Sequence, residues 1–148
     1  MLNEVKDILL VEDSPNDVEL MLVALASCNL ASRVEVARDG EEALDYLHRR
    51  GKFALAPDVL PVVILLDLKL PKVTGLEVLA AIRSDDRLRL QPVVIFTSSR
   101  EEPDLLEAYR LGVNAYVVKP AAFTDFLETV KALGLFWALM NERPPVKK

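Results

Sequence analysis

Five polar side chains in this chain stand directly behind short apolar runs. Glu12 and Asp13 follow Ile8-Leu9-Leu10-Val11, and Asp67 follows Val62-Val63-Ile64-Leu65-Leu66. Thr97 follows Val93-Val94-Ile95-Phe96, and Lys119 follows Tyr116-Val117-Val118. Taken singly, each has an ordinary reading: an acid opening a solvated loop, a β-forming threonine, a strand-end cation. Asp67 fits that reading least well, because Leu68 and Leu70 flank it on the far side and a partly desolvated carboxylate is costly without a partner. Taken together, three carboxylates in one small space repel each other and raise one another's pKa. A divalent cation and a lysine remove the conflict. With one His (His48), one Cys (Cys28) and otherwise oxygen donors, the cation expected is a hard one, Mg²⁺ or Mn²⁺. A carboxylate is a competent nucleophile toward phosphorus. Asp67, the central acid, is the expected phosphoryl acceptor. Asp13 and Asp67 would hold the metal, with Glu12 positioning it through water. Lys119 and the Thr97 hydroxyl would bind phosphoryl oxygens.

The elements that must gather these residues are legible in the hydropathy pattern. The four apolar runs are short, rich in β-branched or aromatic residues, and do not alternate with polar ones, as expected of strands buried on both faces of a parallel sheet. Arg33-Val34-Glu35-Val36-Ala37 alternates and reads as an edge strand. Helical spacing falls between the strands. Ser14-Pro15 caps a first helix with Val18, Leu22 and Leu25 inward, and Asp39 caps a second with Ala43, Leu44 and Leu47. Leu76, Leu79 and Ile82 mark a third, and Leu105, Ala108, Tyr109 and Leu111, ended by Gly112, a fourth. A fifth runs from about Thr124 to about Met140. This βα alternation predicts an α/β fold with a doubly wound parallel sheet and helices on both faces. Ligands then bind outside the carboxyl ends of the strands, where all five polar residues fall. Gly51–Pro61 is a long loop, and 143–148 a polar tail expected to be mobile.

Size and composition exclude other classes. With 148 residues the chain is expected to form one domain. A hydrophobic share of 51% beside 28% charged residues is that of a globular protein. A net charge of −5 does not suit a coat for nucleic acid. One Cys excludes a disulfide framework, and no uncharged apolar stretch approaches the length of a membrane span. The expectation is a soluble, cytoplasmic protein that contacts neither nucleic acid nor membrane. A Walker loop is absent, the acidic EDSPND segment (Glu12–Asp17) does not suit a flavin phosphate, and no hydrolase triad can be assembled.

From about Lys6 to Met140 the chain resembles the receiver domain of bacterial two-component response regulators. The residues that carry the resemblance are ILLVEDS with Glu12 and Asp13, ILLDLKLP with Asp67 and Pro71, Gly75, IFTSS with Thr97, and YVVKP with Tyr116, Lys119 and Pro120. The resemblance implies a flavodoxin-like fold with strand order 2-1-3-4-5 and a receiver spanning 1–142. It implies Mg²⁺-dependent phosphorylation of Asp67 by a sensor histidine kinase, with the Lys69 backbone carbonyl as a further metal ligand, and a cis Lys119–Pro120 bond. It also implies a switch in which Thr97 moves toward the phosphoryl group and Tyr116 rotates inward, remodelling the face built by the fourth helix, fifth strand and fifth helix. Beyond self-phosphorylation and slow self-dephosphorylation, no enzymatic activity is implied. The sequence departs from the family at Ala121, where a bulky apolar residue is frequent; Phe123 is the candidate to fill that space. Lys69 and Ser99 sit where the family tunes dephosphorylation.

The last helix is apolar nearly all round. Phe126, Val130, Leu133, Trp137 and Met140 form one stripe, with Leu127, Leu135, Phe136 and Leu139 outside it. Such a helix needs cover on more than one side. The expectation is a symmetric homodimer that uses this stripe together with Tyr109. The long loop, LPKVTG (Leu70–Gly75) and the helix ending at Trp137 resemble stand-alone receivers paired with phytochrome-type kinases. A histidine phosphotransfer protein is a further expected partner. The competing reading is a pseudo-receiver that binds partners without ever taking phosphate.

Overall fold

The computed structural model describes residues 7–145. Within them the strands are β1 (Ile8–Val11), β2 (Val34–Ala37), β3 (Val63–Leu66), β4 (Val93–Thr97) and β5 (Ala115–Val118). The helices are α1 (Pro15–Ala26), α2 (Gly40–His48), α3 (Gly75–Ser84), α4 (Glu102–Arg110) and α5 (Phe123–Gly134). All four strand pairings are parallel, and the order is β2-β1-β3-β4-β5, as expected.

The sheet divides the core in two by simple alternation. Leu9, Val11, Ile64, Leu66 and Ile95 pack on the side of α2, α3 and α4, with Leu47, Leu79 and Ala108. Ile8, Leu10, Val63, Leu65, Val94 and Phe96 pack on the side of α1 and α5, with Met21, Leu25, Phe126 and Val130. Both faces of the three inner strands are covered, which is why their sequences do not alternate.

The helix starts are set by local chemistry. The Ser14 side chain accepts from the Asp17 N–H with Pro15 in the first turn of α1, and Asp39 accepts from the Glu42 N–H at α2. Thr74 and Glu77 close a reciprocal capping box at α3. The loop after α2 is long but anchored. The Arg49 guanidinium donates to the carbonyls of Tyr46, Pro57 and Val59, and Arg87 donates to the Leu47 carbonyl and pairs with Asp58.

The C-terminal end departs from the uniform α-helix expected to about Met140. α5 ends at Gly134, and Leu135–Met140 continue as a wider π-helical turn. Gly134 lies where a Cβ would come within 2.6 Å of a Leu25 methyl, so α5 and α1 approach closely there. The expected dimer stripe is also corrected. Phe126 and Val130 are buried inside the chain's own core, with Phe126 stacked obliquely on Phe96, and Leu133 and Trp137 pack partly against the same cluster. From Phe126 to Trp137 the stripe faces inward because α1 and the sheet supply its cover. Tyr109 and Met140 do lie exposed, as do Phe123, Leu135, Phe136 and Leu139. Phe123 is 60% exposed and does not fill the space beside Ala121. Arg143, Pro144 and Pro145 carry no regular structure, and the rest of the expected tail, 146–148, lies outside the described residues.

Gly75 ties the fold to the strand-end residues. Its N–H donates to the Leu68 carbonyl at 2.9 Å, and a Cβ there would lie 2.2 Å from the Asp67 carbonyl oxygen and 2.6 Å from Leu68 Cα. Backbone cannot yield as a side-chain tip can. Gly75→Ala is expected to destabilise the protein by about 2 kcal/mol or more, at the upper end of overpacking costs. Urea denaturation checks this, with wild-type stability as the contrary outcome.

Candidate functional site

Sheet register brings the polar residues to one edge. Val11 pairs with Leu66, so Glu12 and Asp67 leave adjacent strands side by side. Thr97 pairs with Val118, so Lys119 emerges next to Thr97. Main-chain bonds continue each ladder one residue further: Glu12 N–H to Ala37, Asp67 N–H to Val11 and Lys119 N–H to Thr97, at 3.0, 3.1 and 2.7 Å. These residues are therefore held by the sheet itself.

Carboxylate oxygens of Glu12, Asp13 and Asp67 come within 4.8 Å of one another. Glu12 and Asp67 are buried, while Asp13 is exposed at the mouth. Lys119 reaches into the cluster and donates to Glu12 Oε1 at 2.6 Å, Asp17 Oδ2 at 2.8 Å and Asp67 Oδ2 at 3.0 Å. The second Asp67 oxygen accepts from the Leu68 N–H at 2.7 Å, and the second Glu12 oxygen from the Ser14 N–H at 3.2 Å. Asp17 is the member sequence reasoning missed. It lies in the first turn of α1 rather than at a strand end; its signal was the third acid of the EDSPND segment.

Burial dominates the electrostatics. Desolvation pushes the Glu12 carboxyl up to about 7, against the lowering effect of its hydrogen bond from Lys119 and reinforced by the charge of Asp67. Burial alone would depress the Lys119 ammonium, but hydrogen bonds to Asp17 and Glu12 and the charges of Asp67 and Glu12 outweigh it and hold the ammonium above its ordinary range. The lysine is the cluster's fixed positive charge.

Thr97 is fully buried at the end of β4, and its hydroxyl oxygen accepts from the Ser99 N–H at 3.4 Å. Ser99 links it outward. The Ser99 hydroxyl donates to Asp104 on α4 at 2.6 Å, and the Ser99 carbonyl accepts from the Tyr116 hydroxyl at 3.0 Å. Burial raises the Tyr116 phenol, with nearby acids adding to the effect. Thr97, Ser99, Tyr116 and the start of α4 thus form one connected strip. Lys69 is exposed beside the acids. The expected cis Lys119–Pro120 bond is corrected, since every described peptide bond is trans. The two isomers of an Xaa-Pro bond differ intrinsically by only about 0.5–1 kcal/mol in favour of trans, so residue identity does not select the cis form.

Residues 8–131 match the response regulator receiver domain family. The chain belongs to that family. Among solved receivers, this one is similar to the phosphorylated cyanobacterial phytochrome response regulator RcpA: 41% identity, 96% of this chain and all of that one covered, TM-score 0.88. It is similar to the bacteriophytochrome response regulator AtBRR, with 58% identity, coverage of 94% and 99%, and a TM-score of 0.73. Response regulator Rcp1 of Synechocystis sp. is 38% identical over 135 residues, 91% of this chain and 90% of Rcp1. Its Mn²⁺-bound structure aligns at 36% identity with a TM-score of 0.85, covering 95% of this chain and 99% of that one. The receiver's acidic cluster has the all-oxygen donor set that suits a hard divalent cation. Among the described residues, no helix is long and apolar enough to cross a membrane.

The receiver depends on Lys119 to neutralise its acids. Removing one partner of a buried ion pair leaves an uncompensated charge, at a cost of about 3–5 kcal/mol. Lys119→Met is expected to lose stability on that order in the presence of a chelator and to recover part of it when Mg²⁺ is added. Thermal melts with and without the cation check this, and a deficit that ignores Mg²⁺ contradicts it.

Proposed function

We propose that this receiver is a phosphorylation-dependent signalling protein in which Asp67 accepts a phosphoryl group from a sensor histidine kinase. The observation that carries the reading is the Lys119 ammonium 3.0 Å from Asp67 Oδ2, inside a cluster of acids at the carboxyl end of the sheet. An Asp67 carboxylate oxygen attacks phosphorus. The new O–P bond forms as the donor's P–N bond breaks, and the departing imidazole nitrogen keeps the electron pair of that bond. Glu12, Asp13 and Asp67, with the Lys69 carbonyl, would hold Mg²⁺ or Mn²⁺, which when bound supplies charge neutralisation and orientation for the transferring group. Lys119 holds a phosphoryl oxygen through a charge-assisted hydrogen bond, and the Thr97 hydroxyl takes another.

The strip from Thr97 through Ser99 to Tyr116 and Asp104 gives the event a route outward. A Thr97 hydroxyl drawn toward the phosphoryl group releases the Ser99 N–H, and Ser99 bonds both Tyr116 and α4. A local charge change then biases the face built by α4, β5 and α5. Exposed Tyr109, Leu139 and Met140 make the outer part of that region available to a partner, a second copy of the chain or a histidine phosphotransfer protein. Similarity to the phytochrome response regulators supports a phytochrome-type kinase as the phosphoryl donor.

Acetyl phosphate with Mg²⁺ is expected to add the mass of one phosphoryl group to the wild-type protein, and none to Asp67→Asn or in the presence of a chelator. An unlabelled wild type, or equal labelling of Asp67→Asn, overturns the reading. A phytochrome-type histidine kinase is expected to transfer to this receiver faster than an unrelated histidine kinase does; equal transfer times would remove the pairing.

A further inference from the structure

Lys119 has three N–H donors, and three carboxylates take them. Two of these, Glu12 and Asp67, belong to the group of acids whose oxygens converge as a cation site. The third, Asp17, does not. It contacts the lysine from the side of α1, 2.8 Å from Nζ, with its side chain 25% exposed. Its place is set by the helix start: the Asp17 N–H donates to the Ser14 hydroxyl at 3.3 Å, and Pro15 rigidifies the same turn. The first turn of a 12-residue helix also favours a negative charge there.

This arrangement matters for the transfer itself. Before the reaction, Asp67 Oδ2 accepts a hydrogen bond from Lys119. When Asp67 bonds to phosphorus, its carboxylate charge is lost and the lysine must pass that N–H to a phosphoryl oxygen. An ammonium held by Glu12 and Asp67 alone would be drawn toward the nucleophile before transfer and would lose one of its two tethers during it. With Asp17 in place, two carboxylates hold the ammonium throughout, and only the third N–H changes partner.

Resting on the proposed phosphoryl acceptance at Asp67, we infer that Asp17 is a positioning residue: it anchors the Lys119 ammonium from α1 so that one N–H can pass from the Asp67 oxygen to the incoming phosphoryl group.

The test uses the full chain, acetyl phosphate as donor and Mg²⁺ as cation, and follows acyl-phosphate formation in time. Asp17→Asn, nearly isosteric but uncharged, is expected to lower the maximal rate about tenfold, the loss of one charge-assisted hydrogen bond. The half-saturating concentrations of donor and Mg²⁺ are expected to move far less, because Asp17 touches neither. Asp17→Glu keeps the charge within reach of Lys119 and is expected to recover most of the lost rate. A wild-type rate in Asp17→Asn overturns the inference. So does a loss that appears in Mg²⁺ half-saturation rather than in the maximal rate, or an Asp17→Glu variant no better than Asp17→Asn. A wild type that takes no phosphoryl group refutes acceptance at Asp67 itself; a labelled wild type beside an unaffected Asp17→Asn refutes only the role of Asp17.

Discussion

The Lys119 ammonium is the charge on which this receiver's acidic edge depends. Two buried carboxylates and two more at the rim meet at the end of an apolar sheet, where charge is poorly solvated. Left to themselves they would repel each other or take up protons. Lys119 answers three of them at once, within 2.6–3.0 Å, and in return they hold it charged despite its own burial. Neither side of that arrangement is stable without the other. It leaves an excess of negative charge, which is what a divalent cation requires.

The parallel sheet makes this meeting unavoidable. Every strand points the same way, so every carboxyl end lies on the same edge. β1 lies between β2 and β3, next to the central strand, and register then puts Glu12 beside Asp67. The helices fix the remaining geometry from outside the sheet. Gly75 lets the start of α3 close against the Asp67 backbone, and the Ser14 cap turns α1 so that Asp17 faces the lysine. The same edge leads to α4, through Thr97, Ser99 and Asp104, by a continuous chain of hydrogen bonds.

Much of this was legible beforehand because burial leaves a plain trace in sequence. Strands covered on both faces must be continuous apolar runs, and a polar residue ending such a run must lie at the sheet edge. That logic located Glu12, Asp67, Thr97 and Lys119, and cap-residue chemistry located the helix starts at Ser14 and Asp39. It failed where a residue's role depends on what packs against it. The Phe126–Val130–Leu133–Trp137 stripe has the same periodicity whether its cover is α1 and the sheet or another molecule. Here Leu25 and Phe96 are among the core residues beside it. The wider turn that follows Gly134, where α5 lies against Leu25 of α1, carried no comparable signal in the sequence.

The sequence by itself determined the α/β order, the strand limits to within a residue, and which polar residues end the strands at the carboxyl edge. These rest on local rules: hydropathy period, cap residues, and the cost of burying charge. Tertiary structure decided that Asp17 joins the site and that α5 turns Phe126 and Val130 into the core. Each of these turns on which distant groups come within a few ångströms. That is settled by packing helices onto a twisted sheet, and no short stretch of sequence contains it.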